Sequence, residues 1–112
     1  MTTRVKRLVQ GTLVTTSDVT LYTSAANTQT VIKAMNVVNT SGGAVTFTLN
    51  LVANGGSASS ANTVISAYSI AAGASYQCPE AINQVLETGD FISVKAGSGS
   101  ALQFTASGVT VS

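Results

Sequence analysis

Residues 42–56 read GGAVTFTLNLVANGG, and between the two glycine pairs apolar and polar positions alternate from Val45 to Leu51. Val45, Phe47, Leu49 and Leu51 fall on one side of an extended chain, and Thr46, Thr48 and Asn50 on the other, because successive side chains of a strand point to opposite faces. The same grammar runs through the rest of the chain. Turn signals recur at TSDV (16–19), AANT (25–28), NTSGGA (39–44), NGGSASSAN (54–62), AAGA (71–74), ETGD (87–90) and GSGS (97–100). Between them lie VTLYT, TVIKAMNVVN, AVTFTLNLVA, TVISAYSIA, ASYQC, INQVLE, FISVKA and ALQFTASGVTVS, most of them rich in β-branched and aromatic residues. This pattern predicts an all-β chain: an antiparallel β-sandwich of about eight short strands, of jelly-roll or immunoglobulin-like topology.

Three stretches depart from simple alternation. PEAINQVLETG (79–89) places Ile82, Val85 and Leu86 at helical spacing after a proline, but it is under three turns long, and a strand approaching the ETGD corner is the better reading. In TVIKAMNVVN the apolar residues occupy both parities: Ile32, Ala34 and Val38 on one side, Val31, Met35 and Val37 on the other. Both faces of that strand therefore need cover, from the chain itself or from a neighbouring subunit. In ALQFTASGVTVS the alternation of Leu102, Phe104 and Ala106 meets Gly108 and resumes out of phase at Val109 and Val111, which predicts a β-bulge at the glycine.

With 112 residues the chain suits one domain with a modest core. Charged residues make up only 8% of it, against about 25% in ordinary soluble domains, so its surface must be neutral and hydroxyl-rich. A net charge of +1 gives copies little reason to repel one another and no broad field to attract nucleic acid or an acidic membrane. Three of the five basic residues, Arg4, Lys6 and Arg7, sit near the start. Residues 1–15 are accordingly expected to form a basic arm and lead-in strand, mobile alone and ordered on a partner, with residues 16–112 as the sandwich domain. The opening lacks the apolar run of an export signal, and no 18 consecutive apolar residues occur anywhere to form a membrane-spanning helix.

The inventory for chemistry is small. There is no histidine, which removes the commonest general base and most zinc sites. Of the four carboxylates only Glu87 and Asp90 are close in sequence, and a turn-bracing role for Asp90 suits them better than a catalytic pair. Cys78 cannot form an intrachain disulfide, being the only cysteine, and nothing beside it lowers its pKa, so it reads as buried filler. The glycine-rich loops do not lead into amphipathic helices as phosphate-binding loops do. Asn39, Thr40 and Ser41 spell a glycosylation sequon. No enzyme, cofactor or metal is expected.

The run from residue 16 onward resembles small β-sandwich structural proteins of tailed bacteriophages. The stretches that carry the likeness are TLYTSAANTQTVIKAMNVVNTSGGAVTFTLNLV, SIAAGASYQ and VLETGDFISVKAGSGSALQFTASGVTV. The resemblance implies a virion location and a non-enzymatic part, either a capsid decoration or cement protein or a neck, tail or fibre-attachment component. It also implies partners: the protein itself as a homo-oligomer, a trimer by analogy with decoration proteins, and other virion proteins such as the major capsid protein, but no nucleic acid and no membrane. The residues expected to meet partners are Arg4, Lys6, Arg7, Val31, Met35 and Val37. A second alternative is a carbohydrate-binding module. Sugar platforms need exposed aromatic rings, and with no Trp and with Phe47, Phe91 and Phe104 assigned to the core, only Tyr22, Tyr68 and Tyr76 are left for that work.

Overall fold

The computed structural model describes residues 2–112. Nine strands follow one another: β1 (Thr3–Leu13), β2 (Val19–Thr23), β3 (Gln29–Asn39), β4 (Val45–Val52), β5 (Thr63–Ile70), β6 (Ser75–Tyr76), β7 (Val85–Leu86), β8 (Phe91–Ala96) and β9 (Leu102–Val111). Single turns of 3₁₀ helix at Ser60–Asn62 and Pro79–Ala81 are the only helical pieces among the described residues. The strand reading of residues 82–87 therefore holds, reduced to the two residues of β7.

The strands pair antiparallel in two sheets. The first runs β1-β9-β3-β6, with β7 also on β3, and the second runs β2-β8-β4-β5. Partners nest outward from the β4–β5 hairpin: β3 with β6 and β7, β2 with β8, and β1 with β9. An immunoglobulin domain pairs several consecutive strands within a sheet, whereas here only β4 and β5 do so. The β-sandwich has the jelly-roll order. The chain passes from the first sheet to the second at Val14, which is fully buried and donates its N–H to Leu102 O at 2.8 Å, and at Thr15, whose carbonyl accepts from Ala96 N at 2.8 Å.

Side chains of both inner faces fill the core. Ile32, Val37, Leu102 and Phe104 of the first sheet meet Phe47, Leu49, Ile92 and Val94 of the second, all with no measurable exposure. Phe91 lies outside this group and is half-buried, because Ile92, Val94 and Ala96 take the inward parity of β8 and leave Phe91 on the opposite side.

The two irregular strands resolve differently from the sequence expectation. Along β3 the pairing with β9 steps from Ile32↔Gly108 to Ala34↔Ser107, leaving Lys33 as an extra residue. That bulge reverses the parity of β3, so Ile32, Met35 and Val37 all face the core. The two apolar sets are sorted differently from the expectation: Met35 and Val37 join Ile32 in the core, while Val31, Ala34 and Val38 take the outer parity.

At the same level β1 bulges at Leu8, between Arg7↔Ser107 and Val9↔Ala106. β9 itself keeps one parity from Leu102 to Val111, so the bulges belong to its two neighbours. Gly108 is required there for another reason: a Cβ on it would lie 2.2 Å from the Val31 carbonyl oxygen. Gly108 and Thr110 point inward, and Val109 and Val111 point out.

The N-terminal segment is an edge strand and not a free arm. β1 pairs with β9 along its length, and the chain ends are tied by Thr2 N to Ser112 O at 2.6 Å and Ser112 N to Thr2 O at 2.9 Å. Without β1 the whole outer edge of β9 would present unpaired backbone groups. The bulge at Leu8 lets Leu8 and Val9 both bury themselves, at 7% and 4% exposure, in a stretch whose sequence does not alternate cleanly.

Candidate interaction surfaces

The two outer faces differ in chemistry. That of the second sheet presents Thr46, Thr48 and Lys95, while Asn50 and Ser93 on the same side are buried, Asn50 Nδ2 donating to Ser59 O, Asn62 Oδ1 and Thr63 Oγ1. The outer face of the first sheet is more apolar. Of four large apolar side chains that stay exposed, Val5, Leu13, Tyr68 and Val85, three lie on it.

The register aligns several of them. Val5 pairs with Val109, Val109 with Val31, and Val31 with Val85, so one cross-strand row of four valines crosses β1, β9, β3 and β7. Val5 is 89% exposed and Val85 49%, and Val109 and Val31 between them are half-buried. Beside this row a groove of about 710 Å³ runs over the same face. Its lining includes Arg7 and Lys33, the polar Gln10, Asn36, Thr105 and Ser107, and no carboxylate.

Most charges of this sheet stand at its two edges, and Lys33 at the β3 bulge is the exception. Arg4, Lys6 and Arg7 all belong to β1. At the other edge stand Glu80, which accepts from the Tyr76 hydroxyl at 2.5 Å, and Glu87, which accepts from Gln29 Nε2 at 2.7 Å. Lys33 donates to Asn83 Oδ1 at 3.0 Å, and Lys6 Nζ lies 6.0 Å from the centroid of the Tyr22 ring.

The residues expected to meet partners thus divide. Arg7 and Val31 lie on the outer face of the first sheet, Arg4 and Lys6 take the opposite parity of β1, with Lys6 reaching towards Tyr22 of the second sheet, and Met35 and Val37 are in the core at 4% and 0% exposure. Val5, Val85 and Val109 complete the surface and escaped the sequence reading. The alternation of single strands shows which residues face outward, but only the pairing register reveals that they form one row.

Of the tyrosines weighed as sugar platforms only Tyr68 stays exposed, and it gives one ring face to Tyr76. Tyr68 of β5 and Tyr76 of β6 stack on each other with ring centroids 4.0 Å apart at 21°, closing the sandwich between one edge of each sheet. Burial, and the Glu80 carboxylate beside it, push the Tyr76 phenol above its ordinary pKa. Tyr22 bonds Thr30 Oγ1 at 3.0 Å.

The remaining polar candidates brace turns. Asp90 accepts from Asn54 N through Oδ1 and from Glu87 N through Oδ2, each at 2.9 Å, and so ties two loops together. Asn39 of the sequon has no exposed surface: its Nδ2 donates to Gly43 O and Ile70 O, both at 2.8 Å, and its Oδ1 accepts from Ser41 N and Ser41 Oγ. Cys78 is fully buried, and that burial, followed by the nearby Glu80 carboxylate, pushes its thiol up to about 12. Among the described residues no three His, Cys, Asp or Glu side chains converge as metal ligands, and no helix is long and apolar enough to cross a membrane.

The chain matches no protein-family model and no curated protein. Among solved structures it is similar to a chain in the structure of infectious bursal disease virus, Gx strain, with a TM-score of 0.46 and 18% sequence identity. The likeness covers 98% of this chain and 32% of that one, so this chain spans about a third of the other's length.

Proposed function

We propose that this protein is a non-enzymatic structural component of a bacteriophage virion, a capsid decoration or cement protein that works by packing its sheet surfaces against neighbours. The observation that carries this reading is the outer face of the first sheet, where Val5, Val109, Val31 and Val85 form one surface row with Val5 and Val85 exposed. Clustered exposed apolar groups mark interaction surfaces. The resemblance of residues 16–112 to small tailed-phage structural proteins points the same way.

The fold itself does not choose among functions, because jelly rolls serve viral capsids, lectins and cupins alike. The residues narrow the choice. Metal sites of imidazole ligands cannot be built without histidine, and of the three tyrosines only Tyr68 is exposed, with one ring face already stacked on Tyr76.

The deciding measurement is the copy number of this protein per particle, by quantitative mass spectrometry of virions purified from cells that carry the gene. Hundreds of copies are expected for a decoration protein. About a dozen would move the assignment to the neck, tail or fibre attachment, and absence from purified particles would overturn the virion reading.

A further inference from the structure

We infer that the free edge of β1 is a strand-addition site for an acidic extended segment of another protein, one that sets carboxylates opposite Arg4, Lys6 and Arg7 and an apolar residue opposite Val5. The inference starts from the backbone. Thr2 and Ser112 exchange both of their N–H···O bonds, so in the unbroken register that follows, Arg4 and Lys6 also turn their N–H and C=O groups to β9. The same groups of Thr3, Val5 and Arg7 therefore point away from the sheet, at an edge where no strand of this chain pairs. Ladder groups left open in this way are the template to which an added strand bonds.

The other sheet edges offer less. β2 has five residues and a register shift between Thr20 and Tyr22, and β6 and β7 have two residues each. β5 is broken at Ala67, whose φ of 46° takes it out of the extended region and whose N–H donates to Thr48 Oγ1. Among the edge strands β1 alone keeps its register over Thr3, Arg4, Val5, Lys6 and Arg7, and all of these are exposed.

Charge selects the occupant. Arg4 and Lys6 take one face of this edge and Val5 and Arg7 the other, so a strand laid beside β1 meets cations on both of its faces. The chain's four carboxylates stand elsewhere: Glu80 and Glu87 at the opposite edge of the sheet, Asp90 between two loops, and Asp18 in a hollow with Thr48 and Lys95 on the outer face of the second sheet. A second copy fits badly, because antiparallel pairing of β1 with β1 about Val5 sets Arg4 opposite Lys6 twice over, and like charges directly opposite destabilise a strand pair. An acidic strand turns the same positions into opposite-charge pairs. In the antiparallel direction, the more stable one per residue, its sequence reads Glu-Glu-Val-Glu against Arg7, Lys6, Val5 and Arg4 in turn.

This site does not depend on the virion reading. A protein found on particles that ignores acidic strands would defeat the site alone, and one that binds them but is absent from particles would defeat the virion reading alone.

Fluorescence anisotropy of the full chain with a labelled peptide, Glu-Glu-Val-Glu between serine and threonine flanks, tests the site. Saturable binding is expected with a Kd below about 1 mM, weakening as salt is raised, and the counterpart Lys-Lys-Val-Lys peptide is expected not to bind. The combined Arg4→Glu, Lys6→Glu and Arg7→Glu variant should exchange this preference, losing the acidic peptide and taking the basic one. All three positions are exposed, so its circular dichroism should match that of wild type.

N-methylation of the peptide separates strand addition from plain attraction of charge and leaves the protein untouched. A methyl on the nitrogen of the peptide Val removes the N–H that donates to Val5 O and is expected to weaken binding by at least about tenfold. A methyl on the nitrogen of the Glu before it, which points away from β1, should weaken binding far less. Wild type that leaves the acidic peptide unbound at about 1 mM, a basic peptide that binds wild type as well, a folded charge-reversed variant that still prefers the acidic peptide, or two methylated peptides weakened alike would each overturn the inference.

Discussion

The Phe47 ring of β4 lies 5.9 Å, centroid to centroid, from the Phe104 ring of β9, with 26° between their planes. This contact joins the two sheets at the centre of the core, and neither residue has measurable exposure. Replacing either with Ala removes most of a large apolar side chain and leaves a cavity that surrounding strands cannot close, at a cost of about 3 to 5 kcal/mol. The double variant should cost less than the sum of the singles by about 1 kcal/mol, the part that belongs to the ring–ring contact. Urea unfolding of the three variants measures both quantities, and an unchanged midpoint in either single variant would place that ring outside the core.

Gly108 tests the close approach of β9 to β3. Because an added Cβ would meet the Val31 carbonyl oxygen at 2.2 Å, and a backbone atom cannot swing aside as a side chain can, Gly108→Ala must push the two strands apart. A destabilisation of about 3 kcal/mol is expected, the upper part of the range for overpacked sites. Gly42→Ala serves as the comparison, since nothing lies within 4 Å of a Cβ there, and should leave the melting temperature nearly unchanged.

Asn39 holds the turn between β3 and β4 with both ends of its amide. Asn39→Ala strands the buried Ile70 carbonyl and frees the loop, with an expected loss of about 2 to 4 kcal/mol. Asn39→Asp keeps the acceptor for Ser41 but removes both donors and sets a negative charge against two carbonyl oxygens, so it should be no milder. The same burial bars the sequon from modification in the folded state. Thermal melts of the two variants settle the size, and an Asp variant as stable as wild type would contradict the amide assignment.

Most of the strand plan was legible in the sequence because period-two alternation bounded by Gly, Asn and Ser turns is a local signal, as FISVKA and VTLYT illustrate by matching β8 and β2 end to end. What was not legible depends on neighbours. The parity change in β3 comes from Lys33 having no partner on β9, which no property of Lys33 announces. Gly108 looked like a bulge because the glycine and the valines around it were visible, while the Val31 carbonyl that excludes a side chain was not. β1 was mistaken for an arm because its three cations suggest solvent, yet an edge strand is a common place for such charges: they keep its open side from pairing indiscriminately. The candidate surface was half legible for the same reason, with Arg7 and Val31 readable from charge and parity and the valine row written only in the register.

The thiol of Cys78 makes stability depend on pH in the alkaline range. Burial raises its pKa from an ordinary value of 9.0 to about 12, so the fold favours the neutral thiol. Below pH 9 both folded and unfolded chains hold the proton, and the contribution is fully present. Above that the unfolded chain releases its proton first, and stability falls until the folded thiol also ionises near pH 12. Tyr76, raised in the same direction by burial and by Glu80, adds a second loss that begins higher, above its ordinary value of 10.0. Cys78→Ala removes the first loss and keeps the second. The difference in urea midpoint between wild type and Cys78→Ala should therefore be constant from about pH 6 to 8 and shift in favour of the variant between about pH 9 and 11. A difference that stays constant across the whole range would show that the thiol ionises as readily in the folded chain as in the unfolded one.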